Sequence, residues 1–562
     1  MASTFAPGYI FLFFCGMMAL ELVWVRTMVP ETKGVPSRRS NAGSEFWCDV
    51  VAAHHRHPSH SRMKRIALVL ALLAAVASAG AQSEPFRPKF HFTPERNWMN
   101  DPNGLVYLDG EWHLFYQYNP FGDRWGHMSW GHAASRDLVR WQHLPLALAE
   151  ENGVMVFSGS AVVDVKNTSG FGVGGRPPMV AIYTGHREGR QDQRIAYSND
   201  RGRTWTKVPE PVLDLQMADF RDPKVFWHDG TSRWVMAVSL PNEHVIQFYA
   251  SPDLKRWTKV GAFGPAGATG GQWECPDLFP LAVEGGGTKW VLIVNINPGG
   301  VAGGSGTQYF VGDFDGSRFV ADSGATGTRW ADYGSDFYAA VSWNNVPRRD
   351  GRRVWIGWMS NWKYGQDVPT SPWRSAMTVP RVLTLRRTPA GPVLVQAPVR
   401  ELDALRTSAT RRFHGGTLAR ANAWLAAQGG LPSLLDVELA FDGVRDATPF
   451  DIQLASGADE RTVVRVDPAT HQLVLDRSRA GRTTFHRNFT LRHPAPLRVI
   501  GGEVRVRLLL DDSSLEVFAQ RGETVLTDVV FLSPGPRRLS FAADGASPRV
   551  HSIVVNSLAA AR

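Results

Sequence analysis

The pattern of apolar and polar positions divides the chain into two textures. From about residue 85 to about residue 402 the apolar residues come in short runs between Gly, Pro, Asn and Asp, and no stretch repeats its apolar residues at helical spacing. Leu105-Val106-Tyr107-Leu108, then Asp109-Gly110, then Glu111-Trp112-His113-Leu114-Phe115-Tyr116, predicts strand, tight Asp-Gly turn, strand. From about residue 410 onward, apolar and polar residues alternate strictly, as in Leu435-Asp436-Val437-Glu438-Leu439 and Val504-Arg505-Val506-Arg507-Leu508. Period-2 alternation broken by Gly, Asp and Pro turns predicts an antiparallel β-sandwich.

The first texture is repetitive. Arg221-Asp222-Pro223 precedes an apolar run, an Asp229-Gly230 turn and a second apolar run, as Asn100-Asp101-Pro102 does. Glu274-Cys275-Pro276-Asp277 precedes a third copy, whose turn is Gly285-Gly286-Gly287. Phe157-Ser158-Gly159 and Asp336-Phe337-Tyr338 mark two further units, so five markers stand 52 to 65 residues apart. A second marker, Ser135-Arg136-Asp137-Leu138, returns as Ser251-Pro252-Asp253-Leu254 and, more loosely, around Ser198 to Trp205. All-β repeats of this size predict propeller blades of four strands around a central channel. The expected fold is thus all-β, a five-bladed β-propeller over residues 86–402 followed by a β-sandwich over residues 410–560.

In such a ring the innermost strand of every blade lines the channel. Residues more than a hundred apart in sequence then converge at one height. Each acid read singly is a turn residue placed before a strand, since Asp-Pro and Pro-Asn-Gly are turn chemistry. Three acids at one position of three repeats, set among aromatic residues, point instead to a shared site. Two carboxylates can divide acid and nucleophile roles at a glycosidic bond, and Trp faces stack on sugars. His127 and His132 have no third ligand at metal spacing, so no metal and no cofactor is expected.

The motifs Trp98-Met99-Asn100-Asp101-Pro102-Asn103-Gly104, Phe115-Tyr116-Gln117-Tyr118-Asn119-Pro120, Trp125-Gly126-His127-Met128-Ser129-Trp130-Gly131-His132-Ala133, Phe157-Ser158-Gly159-Ser160, Phe220-Arg221-Asp222-Pro223 and Trp273-Glu274-Cys275-Pro276-Asp277 stand in this order. In combination they resemble glycoside hydrolase family 32, the β-fructofuranosidases, and within it the levanases and exo-inulinases. The resemblance runs from about residue 86 to the C-terminus and implies a propeller followed by a sandwich. It further implies that Asp101 is the nucleophile, Glu274 the general acid and then base, and Asp222 the stabiliser of the transition state. It implies substrate contacts from Asn100, Gln117, Trp125, Ser158, Arg221 and Trp362, with Arg221 balancing charge around Asp222. A retaining reaction would place Asp101 and Glu274 roughly 5–5.5 Å apart. Cys275 reads as a buried thiol beside the acid rather than a nucleophile.

The expected activity is release of terminal fructose from levan or inulin, and from sucrose. The alternatives are a sucrose-preferring invertase, an endo-acting levanase or inulinase, a transfructosylase, and a sugar-binding module without activity. A related five-bladed fold serves arabinan-degrading enzymes, and fold alone does not separate them.

The chain of 562 residues is 43% apolar and 20% charged, enough for more than one globular domain. Its net charge of +9 does not form a basic run, and nucleic-acid binding is not expected. Met63-Lys64-Arg65, the apolar run Ile66 to Val76 and Ala79-Gly80-Ala81 predict a secretory signal over residues 63–81, hence export. Residues 1–62 then read as an extension upstream of the true start. The competing reading is a membrane anchor over residues 5–25. Beyond the signal only Cys275 remains, so no intramolecular disulfide is expected there. Trp424 is the only tryptophan after residue 410, and the sandwich reads as mainly structural, with sugar binding as the alternative.

Overall fold

The structure, a computed structural model, describes residues 84–323 and 327–561. The expected extension over residues 1–62 and signal over residues 63–81 lie outside the described residues.

Between residues 97 and 398 the strands form five antiparallel sheets, each consecutive in sequence apart from the short strand Trp373–Arg374, which joins the first sheet beside Asn97 and Trp98. The innermost strands are Asn97–Leu108, Met155–Val163, Arg221–His228, Gln272–Ala282 and Tyr338–Ser342. Each of the five sequence markers lies within or immediately before one of them. These strands are buried along most of their length because each is packed on both faces by its neighbours.

Polar bonds close the innermost strands into a ring. Ser158 Oγ of the second donates to Asp101 Oδ2 of the first at 2.7 Å. Ser160 Oγ donates to Pro223 O of the third at 2.8 Å. Lys224 of the third pairs with Asp277 of the fourth at 3.2 Å, and Asp277 accepts from Ser342 N of the fifth at 2.6 Å. Asn344 N, just past the fifth strand, donates to Leu105 O of the first at 2.9 Å. Five sheets joined innermost strand to innermost strand make a β-propeller.

One expectation about local structure is corrected. The acids do not sit in turns ahead of their strands. They lie inside the strands, at β-bulges. The pairing register shifts between Met99 and Pro102, Val156 and Gly159, Arg221 and Lys224, Glu274 and Asp277, and Tyr338 and Val341. Proline is tolerated in a central strand where a bulge removes the need for its missing N–H. Pro102, Pro223 and Pro276 therefore mark bulges. The Asp109-Gly110 turn forms as expected, with both residues at positive φ.

Residues 411–557 form a six-stranded and a five-stranded antiparallel sheet. Alternation in the sequence becomes alternation in space: Phe450, Ile452 and Leu454 point into the core with Val464, Val466, Leu473 and Leu475. An α-helix, Leu418–Ala427, was not expected here. Thr417 caps its start by accepting from Arg420 N, and Leu418, Ala421 and Leu425 face the core.

Buried charges tie the sandwich to the propeller. Arg381 of the fifth propeller sheet bonds Glu516 of the sandwich and Asp332. His91, ahead of the first strand, lies between Asp511 and Glu516, 2.8 and 2.7 Å away. Burial alone would lower the pKa of His91, but hydrogen bonds and charge from both acids outweigh it and push it up to about 9.

Candidate active site

The bulges aim one group from each inner strand into the same end of the channel. Asp222 takes φ +67°, and Cys275 and Ala339 take +43° and +52°, a region that costs a residue with a Cβ roughly 1–3 kcal/mol. Strain at three of the five bulges, all facing one space, is the backbone signature of a functional site.

Asp101 is 8% exposed. Its Oδ1 accepts from Asn100 Nδ2 at 3.0 Å and its Oδ2 from Ser158 Oγ at 2.7 Å. Asn100 is fixed in turn by the indole N–H of Trp98, 2.7 Å from its Oδ1. Asp222 is 5% exposed, and its Oδ2 accepts from Cys275 N at 2.9 Å. The Cys275 thiol lies 3.4 Å from Asp101 Oδ2 and 3.6 Å from Asp222 Oδ2. One small side chain thus touches acids from two other sheets, which shows how tightly the first, third and fourth strands converge. Glu274 keeps more access to solvent, with its side chain 19% exposed. It accepts from Arg221 Nε at 3.0 Å and from the Tyr338 hydroxyl.

Arg221 does more than balance Asp222. Its guanidinium bonds Glu274, Asp219, Gln272 and Gln191, and it makes no direct hydrogen bond to Asp222. It acts on Asp222 through space. Burial is the largest influence on Asp222; Arg221 opposes it, while Glu274 and Asp101 add to it, and the carboxyl is pushed up to about 7. Burial likewise raises Asp101. The bonds from Ser158 and Asn100 oppose that rise, and the charge of Glu274 adds to it. Arg221 thus faces Glu274, Asp222 and Asp219, while Asp101 is held by Ser158 and Asn100. Burial raises the Cys275 thiol well above its usual range, as does the charge of all three acids, so it stays protonated and is not a nucleophile.

The remaining expected residues fall around this centre. Gln117 is buried and donates to Val156 O at 2.9 Å, next to the second bulge. Trp125 is 39% exposed and meets Phe157 edge-on at 6.0 Å. Trp362 is half-buried, 5.8 Å from the Trp98 ring and 5.0 Å from Trp358. His127 pairs with Glu150 at the surface, whereas His132 is buried against His113.

Tyr338 was missed as a site residue although its motif was recognised as the fifth repeat marker. It is 1% exposed, and burial together with the Glu274 charge holds its phenol protonated, as a donor. The signal lay in its position: it stands in the fifth repeat where Glu274 stands in the fourth, at the last paired residue before the bulge.

The acid cluster is closed off from the other end of the channel. Asn344 Nδ2 bridges Ala161 O and Val225 O at 2.8 and 2.9 Å, and the Lys224–Asp277 pair fills the space beside it. A cavity of about 840 Å³, lined by Trp227, Trp290, Asn344 and Arg348 among others, opens beyond this plug and holds none of the three acids.

Comparison with known proteins agrees with this geometry. Residues 91–398 match the model of the glycosyl hydrolases family 32 N-terminal domain, and residues 401–557 that of the family 32 C-terminal domain. The chain is 46% identical to the levanase of Bacillus subtilis over 503 residues, covering 88% of this chain and 74% of the relative. It is 42% identical to the extracellular exo-inulinase of Aspergillus ficuum, covering 83% of this chain and 93% of the relative. The crystal structure of the exo-inulinase of Aspergillus awamori superposes with a TM-score of 0.79 at 38% identity, covering 86% of this chain and all of that one. With both family domains matched in order over most of the chain, the chain belongs to glycosyl hydrolase family 32.

Proposed function

We propose that the protein releases terminal β-D-fructosyl units from fructans such as levan and inulin, and cleaves the fructosyl bond of sucrose, with retention of configuration. The observation that carries this reading is the convergence of Asp101, Asp222 and Glu274 from three sheets on one channel end, with Arg221 bonded to Glu274 there. The names of the relatives supply the sugar.

In the first step Asp101 attacks the anomeric carbon of fructose. Glu274 gives its proton to the departing oxygen, and a fructosyl ester forms on Asp101. In the second step Glu274 takes a proton from water, and the water attacks the same carbon and frees Asp101. Both steps pass through an oxocarbenium-like state whose positive charge the buried acids stabilise. Asp222 accepts hydroxyl hydrogen bonds from the fructosyl ring, and Asn100, Gln117, Ser158 and Arg221 line the same pocket. Trp125 and Trp362 supply ring faces at its mouth. The site needs no metal or other cofactor for this chemistry.

We also place the enzyme outside the cytoplasm, exported by the signal over residues 63–81. The Aspergillus relative is named as extracellular, which supports this reading.

A time course decides the reading. The purified enzyme is incubated with levan, inulin and sucrose, and products are separated, with Glu274→Ala as control. Free fructose as the only early product from a polymer is expected. Early oligosaccharides would mean endo cleavage, transfer products a transfructosylase, and release from sucrose alone an invertase. No release from any of the three would overturn the assignment.

A further inference from the structure

The inner strand of the fifth sheet is held by the sandwich as well as by the propeller. Arg477 belongs to the sandwich strand Gln472–Arg479 and is fully buried. Its Nη1 donates to Asp336 Oδ2 at 2.6 Å and to Val529 O at 2.9 Å, its Nη2 to the Tyr364 hydroxyl at 2.9 Å, and its Nε to Thr490 O at 2.8 Å. The guanidinium also stacks 3.7 Å above the Phe489 ring. Every face of this cation is therefore committed to one geometry.

Asp336 is the residue so gripped. Its Oδ1 accepts from Tyr364 at 2.7 Å, its Oδ2 from Val529 N at 2.9 Å, and its own amide donates to Thr527 O at 3.0 Å. Just before it, Ser335 N donates to Asp528 Oδ1 at 2.9 Å. Just after it, the Phe337 ring lies under the Arg381 guanidinium, 4.6 Å away. The next residue is Tyr338, whose hydroxyl donates to Glu274 Oε2. Ala339 follows at positive φ in the bulge, a conformation the strand does not adopt unaided. Anchorage on one side of Tyr338 and strain on the other fix where its hydroxyl lies.

We infer that Arg477 is a positioning residue for acid–base catalysis: through Asp336 it sets Tyr338, and through Tyr338 the orientation of Glu274. The sandwich then contributes to the reaction without touching substrate. The Tyr364 arm reaches the loop that carries Trp362, because Tyr364 N bonds Asn361 O, so the same cation also steadies one aromatic wall. The inference rests on Glu274 being the acid and base.

The test compares two leaving groups. Sucrose needs its departing oxygen protonated, whereas a nitrophenyl β-fructofuranoside does not. Tyr338→Phe removes the bond to Glu274, Asp336→Asn weakens the grip of Arg477, and Arg477→Lys alters it from the sandwich side. A displaced acid costs about 10- to 100-fold on sucrose. In kcat/KM, which reports the steps up to loss of the leaving group, the nitrophenyl substrate should stay within about threefold of the parent, since no proton is required at its oxygen. The alkaline limb of the kcat/KM profile on sucrose, where the catalytic acid loses its proton, should shift in the same direction in all three variants. Equal losses on both substrates, or no loss, in Asp336→Asn and Arg477→Lys would overturn the inference. If Arg477→Lys does not fold, Asp336→Asn and Tyr338→Phe decide alone. Glu274→Ala separates the two levels: a large leaving-group effect on kcat/KM there upholds Glu274 as the acid whatever the others show, and an equal loss of kcat/KM on both substrates would remove the reading on which the inference stands.

Discussion

Asp222→Asn should make the protein more stable while nearly abolishing activity, and the gain should depend on pH. Asp222 is 5% exposed, with its carboxyl pushed from 3.8 to about 7 by burial and by the other two acids. Between pH 4 and 7 the folded protein therefore holds a proton that the unfolded chain has lost, so stability falls as pH rises through this window. At about 1.4 kcal/mol per unit, the ionised carboxylate costs the fold at most about 4 kcal/mol above pH 7, and under about 1 kcal/mol at pH 4. Coupling to Asp101 and Glu274 spreads part of that cost, leaving roughly 2–4 kcal/mol to recover. Asparagine tolerates the left-handed conformation at this position and can still accept from Cys275 N. For a body of this size, about 1–2 °C per kcal/mol follows from the usual scaling. Thermal unfolding at pH 8 should rise by about 2–8 °C over the parent, and the gap should shrink to about 1 °C at pH 4. The kcat should fall on the order of 10²–10³-fold, the loss typical of removing one transition-state contact. A variant no more stable than the parent at pH 8, or a gap that does not change with pH, would refute the account of a strained acid cluster.

Three other outcomes are expected. Trp125→Ala should raise KM about three- to tenfold, roughly 1 kcal/mol of lost ring contact, without shifting the melting temperature, because Trp125 is 39% exposed at the rim. Arg381→Met leaves Asp332 and Glu516 buried without their cation and should cost about 3–5 kcal/mol, read by denaturant unfolding. His91→Gln should destabilise by up to about 3 kcal/mol below pH 6.5, where the raised pKa gives the parent its full benefit. That gap should close as pH rises through about 9, in thermal unfolding measured across the range.

Much of the fold was legible because it repeats. An acid near the start of three repeats, and markers recurring every 52 to 65 residues, made the ring legible without any contact being known. Strict alternation around Val437 and Leu439 gave the sandwich. What was hidden has a physical cause in each case. The Asp-Pro pairs carry turn chemistry, and only pairing with the next strand shows that Pro102 and Pro223 sit in bulges rather than turns. The helix Leu418–Ala427 was overlooked beside stronger strand signals, although Thr417 was a usable cap. Arg221 was read from its neighbour in sequence, but its reach of several bonds takes it to Glu274, 53 residues on. Arg477 and Asp336 are 141 residues apart, and nothing in either local pattern announces the pair.

The central claim is that Asp101 forms a covalent bond to fructose and that Glu274 governs its formation and release. It is tested most directly by trapping. Glu274→Ala is mixed with a nitrophenyl β-fructofuranoside, whose leaving group needs no acid, and the protein is quenched and analysed by mass spectrometry. The account predicts that one fructosyl unit accumulates per protein and that peptide mapping places it on Asp101, because loss of the base stalls hydrolysis of the ester. An unmodified protein that still turns over the substrate, with fructose first appearing in the inverted configuration, or an adduct on any other residue, would contradict it.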